Sequence, residues 1–370
     1  MTDFAVDKLM VVGSASIHTW RFLSGIAPYA REVWLACNGE PPPEHRPANL
    51  AGVCRLDFSL TAFGTASRLR RWAQAVSPSL VHVHQANSVA WHARRALGGS
   101  PVPRVLTAWG SDVLLLPQRN AWFARMVRGN LLAADAVTSD SLYMAARIRE
   151  LSAKPMRIEM LNYGMDALPP AVDCAAKPRR VLSCRLHKPL YRVDAIVRAW
   201  GEIEARHPDW SLTVAASGEQ SEALKRLALE LGLRRIEFTG FVDSATLGGL
   251  YRDSRVFVSV PTSDGTSISL LEAMGHGCLP LLSNLPANGE WVIDGLNGRI
   301  VEDVSRLAAA LEAALSDADD DARLNEIAAI NRRLVAQKAL HADNMRRFAG
   351  LYRDLLTLPA RTAAADGATL

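Results

Sequence analysis

No hydrophobic run in this 370-residue chain approaches the roughly 20 consecutive apolar residues that a membrane-spanning helix needs. Cysteine is scarce. Cys37, Cys54, Cys174, Cys184 and Cys278 include no C-x-x-C pair, which argues against a disulfide framework and for reduced thiols acting as small core residues. Excess charge of one sign is also lacking. A net charge of +4 is compatible with an anionic ligand or membrane surface but too weak to argue for nucleic acid. The dinucleotide fingerprint is missing: Gly13-Ser14-Ala15-Ser16-Ile17-His18 carries one glycine where G-x-G-x-x-G needs three, so no nicotinamide or flavin cofactor is expected. The histidines lack zinc spacing, and no metal site is expected. Asp3 and Asp7 stand where a signal peptide would carry basic and then apolar residues, so a cytoplasmic location is expected.

What is there is a globular composition, 49% hydrophobic and 22% charged, at a length suited to two α/β domains. Short β-rich runs alternate with helical patterns, which predicts parallel sheets with crossover helices. The first half gives strands at Lys8–Val12, Glu32–Ala36, Leu80–His84, Arg104–Ala108 and Ala136–Ser139, with helices such as Ala66–Val76 and Ala121–Ala134 between them. Residues Gly39–Ala48 are too rich in proline for regular structure. Another proline-rich break, Leu168–Pro178, reads as the domain linker. Beyond it a new series begins: strands Arg180–Cys184, Ser211–Ala216, Ile236–Phe241, Val256–Val260 and Cys278–Ser283, with helices Val193–Ala205, Ser221–Leu231 and Ser244–Tyr251. Asp303 to Leu356 is helical in pattern. The fold class is therefore α/β with two doubly wound, Rossmann-like domains, and such domains bind ligands at the C-terminal ends of their strands.

The most informative segment is Ser263-Asp264-Gly265-Thr266-Ser267-Ile268-Ser269-Leu270-Leu271-Glu272-Ala273-Met274-Gly275-His276-Gly277. It follows a buried-strand pattern and opens an apolar helix. The first amides of a helix have no internal partner and its dipole favours negative charge, so this turn suits an anion. Asp264 and Glu272 add acceptors for sugar or ribose hydroxyls. An ordinary strand-to-helix turn capped by Thr266 or Ser267 is the bland alternative.

Together with Glu290-Trp291-Val292-Ile293-Asp294-Gly295-Leu296-Asn297-Gly298, this segment resembles the C-terminal signature of family 4 retaining glycosyltransferases, an E-x7-E frame followed by E-x-V-x-D-G-x-N-G. The resemblance implies that the two domains face each other across a cleft, in the glycosyltransferase B-type architecture. It implies that Asp264, one methylene shorter than the usual Glu, contacts the donor sugar. Glu272 would hold the ribose, and Gly265, Thr266 and Ser267 would lie at the phosphates or sugar. Ser183-Cys184-Arg185-Leu186-His187-Lys188-Pro189-Leu190-Tyr191-Arg192 is similar to the family's G-R-L-x-x-x-K-G, whose cations neutralise the diphosphate. Arg185 matches directly. The lysine is offset, so Lys188 is assigned that role, with Arg192 as the reserve. A solvated basic turn is the alternative.

The proline-rich break divides the chain into domains at 1–170 and 177–338, the small, polar composition at its end marks a disordered tail at 359–370, and the resemblance implies that the terminal helix at 339–358 returns to the first domain. In the first domain, the family's His-Gly dipeptide is replaced at Trp109, leaving His18 or Asp112 as acceptor-side candidates; for either residue alone, helix capping is the commoner role. His82 and His84 alternate along a strand, one expected in the core and the other toward the cleft. Asn120–Leu132 mixes Trp122 and Phe123 with Arg125 and Arg128, which suits either an interfacial helix or, by base rate, a core-facing stripe with a charged outer face. Leu69-Arg70-Arg71-Trp72 raises the same pair of readings.

The function so implied is metal-independent transfer of a hexosyl unit, with retention, from a nucleoside-diphosphate sugar to a glycan or lipid-linked acceptor. No cofactor and no nucleic acid are involved. Surface polysaccharide or lipopolysaccharide synthesis, at the cytoplasmic face of the inner membrane, is the commonest setting. The rival readings are a sugar-nucleotide epimerase of the same architecture and a catalytically silent sugar-nucleotide-binding subunit.

Overall fold

A computed structural model of the protein describes residues 4–171 and 173–358. The tail expected at 359–370 lies outside the described residues. Contacts divide the chain into two compact units: residues up to Tyr163 together with those from His341 onward, and Gly164–Leu340.

In the first unit seven parallel strands, β1 (Val6–Gly13), β2 (Ala30–Cys37), β3 (Leu50–Arg55), β4 (Leu80–His84), β5 (Arg104–Thr107), β6 (Ala136–Ser139) and β7 (Arg157–Met160), stand in the order β3-β2-β1-β4-β5-β6-β7. The order reverses at β1, where β4 pairs on the side opposite β2. That reversal is the doubly wound pattern, and it puts a ligand crevice at the carboxyl ends of the strands. Each face of the sheet has its own core. One gathers Val12, Val83, Val89, Leu106 and Val127; the other gathers Leu9, Val11, Phe22, Leu35 and, from the last helix, Phe348 and Tyr352.

The second unit repeats the plan with β8 (Arg180–Ser183), β9 (Ser211–Ala215), β10 (Ile236–Gly240), β11 (Val256–Ser259), β12 (Leu279–Ser283) and β13 (Arg299–Val301), ordered β10-β9-β8-β11-β12-β13. Val181, Val214, Val258 and Leu281 point to one core, Leu182, Ala215, Phe257 and Leu282 to the other. This is the alternation that a strand buried on both faces requires. The sequence-based fold class is thus what the chain adopts.

Three short strands, β3, β7 and β13, were not expected. All lie at sheet edges, where half-burial blurs the apolar pattern. In β3, Gly52 lets the Trp34 ring cross the backbone; a Cβ there would lie 2.7 Å from the ring. The proline-rich loop holds one short 3-10 turn, Pro43–His45, because proline's fixed φ suits a first helical turn. The break at Leu168–Pro178 is not a free linker. Met165 donates its amide to Ala339 O at 2.8 Å, and Lys177 is buried with Nζ on the carbonyls of Ser254 (2.9 Å) and His276 (2.7 Å), so this stretch belongs to the second unit. Among the described residues no helix is long and apolar enough to cross a membrane.

Candidate functional site

In the second unit the candidate residues come from two adjacent strand ends. β8 delivers Cys184 and Arg185, and the neighbouring β11 leads into Ser263–Ser267 and the helix Ile268–Gly275. Because β8 and β11 pair in parallel, their C-terminal loops emerge side by side. Residues 82 positions apart in sequence therefore meet: Arg185 Nη1 donates to Ser267 Oγ. Arg185 Nη2 forms an ion pair with Asp264 Oδ2 at 2.8 Å. Beneath the guanidinium lies the ring of Tyr191, its centroid 4.4 Å away. Burial opposes the Arg185 charge, but Asp264 and Tyr191 outweigh it and leave its pKa raised.

Ser267 occupies the N-cap position yet its side chain caps nothing, in contrast to Ser16, Asn120 and Ser141, each of which accepts amides of its own helix. Its hydroxyl is turned to Arg185, so the first amides of the Ile268–Gly275 helix have no side-chain cap. Thr266 is buried and accepts the Trp291 indole N–H at 3.1 Å. Gly265 donates its amide to Asp264 Oδ1 at 3.1 Å.

Glu272 lies one helical turn further on, half-buried. Its charge bears on Cys184 and Tyr251, whose hydroxyl is 3.2 Å from the Cys184 sulfur. Burial pushes the Cys184 thiol up to about 11, so it is not a ready nucleophile. Arg185, Asp264, Ser267 and, through Cys184, Glu272 thus share one neighbourhood.

The basic loop divides differently. Lys188 is exposed at the start of the turn Pro189–Tyr191. Arg192 turns inward: Nε donates to Val260 O at 2.6 Å and Nη2 to Pro261 O at 2.9 Å. Its backbone is left-handed, φ 48°, a conformation costing a non-glycine residue roughly 1–2 kcal/mol. Arg192 thus anchors the loop to the end of β11, and its guanidinium is committed to main-chain carbonyls rather than open to a diphosphate. Behind this loop, Gly218 packs so closely that a Cβ would lie 2.5 Å from His187 O. The Asp294–Asn297 stretch is also structural. Asn297 Oδ1 accepts the Ile293 amide at 2.8 Å, and its Nδ2 reaches Asn331 Oδ1 at 2.8 Å on the helix Asp321–Lys338.

In the first unit Asp112 is buried. Its carboxylate accepts the Ala86 amide at 2.6 Å and the Trp109 amide at 3.0 Å. Burial raises its pKa and those amides oppose the rise. It ties two strand-end loops together and is not disposed to meet an acceptor. His18 is half-buried on the helix Ile17–Ile26, edge-on to Trp109 at 5.3 Å and stacked toward Tyr163 at 6.2 Å. His82 and His84 do not divide between core and surface. Residues two apart on a strand share a face, and both rings are buried, stacked 4.6 Å apart. His82 is held by Tyr352 (2.5 Å) and Thr107 (2.6 Å), His84 by Tyr163 (2.9 Å). Tyr163 and Tyr191 were missed in the sequence, where each is a lone tyrosine in an irregular stretch.

The helix Ala121–Leu132 buries Met126, Val127 and Leu131 and leaves Trp122, Arg125 and Arg128 exposed. Arg70 instead donates to the carbonyls of Ala96 (3.0 Å) and Arg95 (2.7 Å), and Trp72 packs edge-on to Trp34 at 5.9 Å, so that segment is structural. Among the described residues no group of three or more His, Cys, Asp or Glu is arranged to hold a metal ion.

Comparison with known proteins adds three findings. Residues 8–141 match the family "Glycosyl transferase 4-like" and residues 177–317 match "Glycosyl transferases group 1". Among curated proteins, the chain is 29% identical over 176 residues to the serotype-specific mannosyltransferase WbdA of Escherichia coli, covering 45% of this chain and 21% of WbdA. It is 25% identical over 213 residues to the GDP-mannose:cellobiosyl-diphosphopolyprenol alpha-mannosyltransferase of Xanthomonas oryzae pv. oryzae, covering 55% of each. The chain thus spans between a fifth and about half of these relatives. Among solved structures, HepE of Anabaena, crystallised with UDP-glucose, superposes with a TM-score of 0.77 over 94% of this chain and 100% of that one; at 16% identity this likeness concerns the fold.

Proposed function

Because the chain belongs to the family 4 type glycosyltransferases, its two halves matching the two domain families of that group in order, we propose that the second unit binds a nucleoside-diphosphate hexose and that the reaction is metal-independent transfer with retention. The observation that carries this reading is the convergence of Arg185, Asp264 and Ser267 at the start of an uncapped helix. Charge builds on the departing phosphate as the glycosidic bond breaks. A buried arginine and helix amides held ready for that charge stabilise the transition state more than the ground state. Asp264 is suited to the sugar hydroxyls and Glu272 to the ribose. Lys188, exposed at the start of the adjoining turn, serves as the second cation. Among the described residues no carboxylate stands out as a nucleophile, which favours attack by the acceptor hydroxyl on the face the phosphate leaves.

The first donor to test is GDP-mannose, because the curated relatives transfer mannose; UDP-glucose, the ligand of HepE, is the second. The acceptor is a glycan or a lipid-linked sugar, in surface polysaccharide or lipopolysaccharide assembly. Exposed Trp122 beside Arg125 and Arg128 supports a peripheral position on an anionic membrane face. A thermal-shift panel of nucleotide sugars, followed by donor-only incubation, tests the reading. A raised melting point with slow release of nucleoside diphosphate is expected. Interconversion of the sugar would mark an epimerase, binding without turnover a silent subunit, and no shift with any donor would end the proposal.

A further inference from the structure

Arg185 and Asp264, the groups assigned to the leaving phosphate and to the sugar, form an ion pair with each other. Asp264 Oδ2 lies 2.8 Å from Arg185 Nη2, with the side chains only 10% and 22% exposed for Arg185 and Asp264. The contact lies off the N–H direction, so it is an ion pair without an aligned hydrogen bond. The other edge of the fork, Nη1, is held by the Ser267 hydroxyl. The central carbon of the guanidinium lies over the Tyr191 ring.

We propose that Arg185 is an exchangeable cation: a nucleoside diphosphate competes with Asp264 and Ser267 for its edge, and winning that competition frees the Asp264 carboxylate for the sugar. This rests on the donor-site reading above and adds to it an order of recognition, leaving group first and hexose second. Three features carry it. A diphosphate bears more charge than a carboxylate and can take the guanidinium edge in a bidentate, aligned manner that Asp264 does not achieve here. The diphosphate also meets the helix N-terminus, which repels no anion and attracts this one. Finally, the Tyr191 ring under the guanidinium gives the cation a contact independent of Asp264 and Ser267, so it can stay in position while those partners are exchanged. Tyr191 is on this account a positioning residue.

The consequence is a coupling between two ligands, and coupling is reciprocal. A free hexose should bind poorly by itself and better when nucleoside diphosphate is present. Removing the competing carboxylate should strengthen nucleoside diphosphate binding even though it damages the site for the sugar. A site in which Asp264 only touches sugar would leave that affinity unchanged.

The test is calorimetry on the full chain with GDP and UDP, each alone and with free mannose or glucose. Asp264→Asn is expected to bind the preferred diphosphate roughly three- to tenfold more tightly than the parent, the size of one lost, partly buried ion pair, while turnover of the sugar nucleotide falls. Ser267→Ala should give a smaller gain in the same direction. Tyr191→Leu should weaken the diphosphate in both the parent and the Asp264→Asn background. Equal or weaker diphosphate binding by a folded Asp264→Asn variant overturns the exchange and leaves the donor-site reading intact. Should that variant fail to fold, Ser267→Ala decides: a gain supports exchange, no gain overturns it. If neither diphosphates nor sugar nucleotides bind the parent, the donor site itself is wrong and the exchange falls with it.

Discussion

Trp109 donates its indole N–H to the hydroxyl of Tyr163 across 3.1 Å. Having accepted that bond, Tyr163 has its own proton to give to His84 Nδ1, 2.9 Å away. The residue that replaces the family's usual His-Gly dipeptide is thus the outer end of a chain running into the core. Trp109→Phe keeps an aromatic ring, though a smaller one, and removes the donor. A loss of about 1 kcal/mol in the stability of the first unit is expected, measured by denaturant unfolding. Unaltered stability would mean that the indole bond adds nothing.

The paired imidazoles make the first unit acid-sensitive. Burial lowers both pKa values, His82 well below 6.5 and His84 to about 3, so both rings are neutral when folded. Unfolding lets them take up protons near their ordinary pKa. Their contribution is therefore complete above about pH 6.5 and shrinks as pH falls toward 3, by up to about 1.4 kcal/mol per pH unit for each ring. Asp112, raised by burial, acts in the opposite sense near the bottom of that window. Melting temperature against pH checks this, and His84→Asn should flatten the slope. A parent profile that stays level from pH 7 to pH 5 contradicts it.

Arg192 and Lys188, four residues apart, should fail in different ways. Arg192→Ala removes two hydrogen bonds to β11 carbonyls and keeps the left-handed backbone, so about 2 kcal/mol of stability should disappear with donor affinity nearly intact. Lys188→Ala should leave melting unchanged and reduce turnover more than donor affinity, because the charge it meets develops in the transition state. If Lys188→Ala is silent in turnover while Arg192→Ala abolishes donor binding, the two roles are reversed.

Glu272→Ala should weaken donor binding about tenfold or more through lost ribose contacts. Arg185→Gln should reduce kcat roughly 100-fold or more, as does removal of one preorganised donor to a developing oxyanion. Calorimetry and steady-state kinetics check the pair. A Glu272→Ala variant with parental donor affinity removes that residue from the site.

The sequence made the repeating α/β plan legible because buried parallel strands are continuous apolar runs, as at Leu9–Val12 and Val256–Val258. β3, β7 and β13 escaped: β7 and β13 interrupt their apolar residues with charge, and β3 is only half-buried and broken by Gly52. At the site, the spacing of Asp264 and Glu272 and the position of Arg185 could be read directly. The partners of those residues could not. Whether a basic side chain on a loop points to solvent, as Lys188 does, or back to a carbonyl, as Arg192 does, depends on a backbone angle that residue type does not reveal. The roles of Asp112 and His84 were obscured for a related reason. Polar side chains at strand ends serve loop closure and core hydrogen bonding as readily as chemistry, and only their partners tell these apart.

The last helix, His341–Thr357, places Met345, Phe348, Tyr352 and Leu355 in the core of the first unit, although all of Gly164–Leu340 is translated before it. The unit encoded first is therefore the last to be finished during synthesis. Until that helix has been made, Phe22 and the His82 ring lack the Phe348 and Tyr352 contacts on that face, and the nascent first unit carries an open flank.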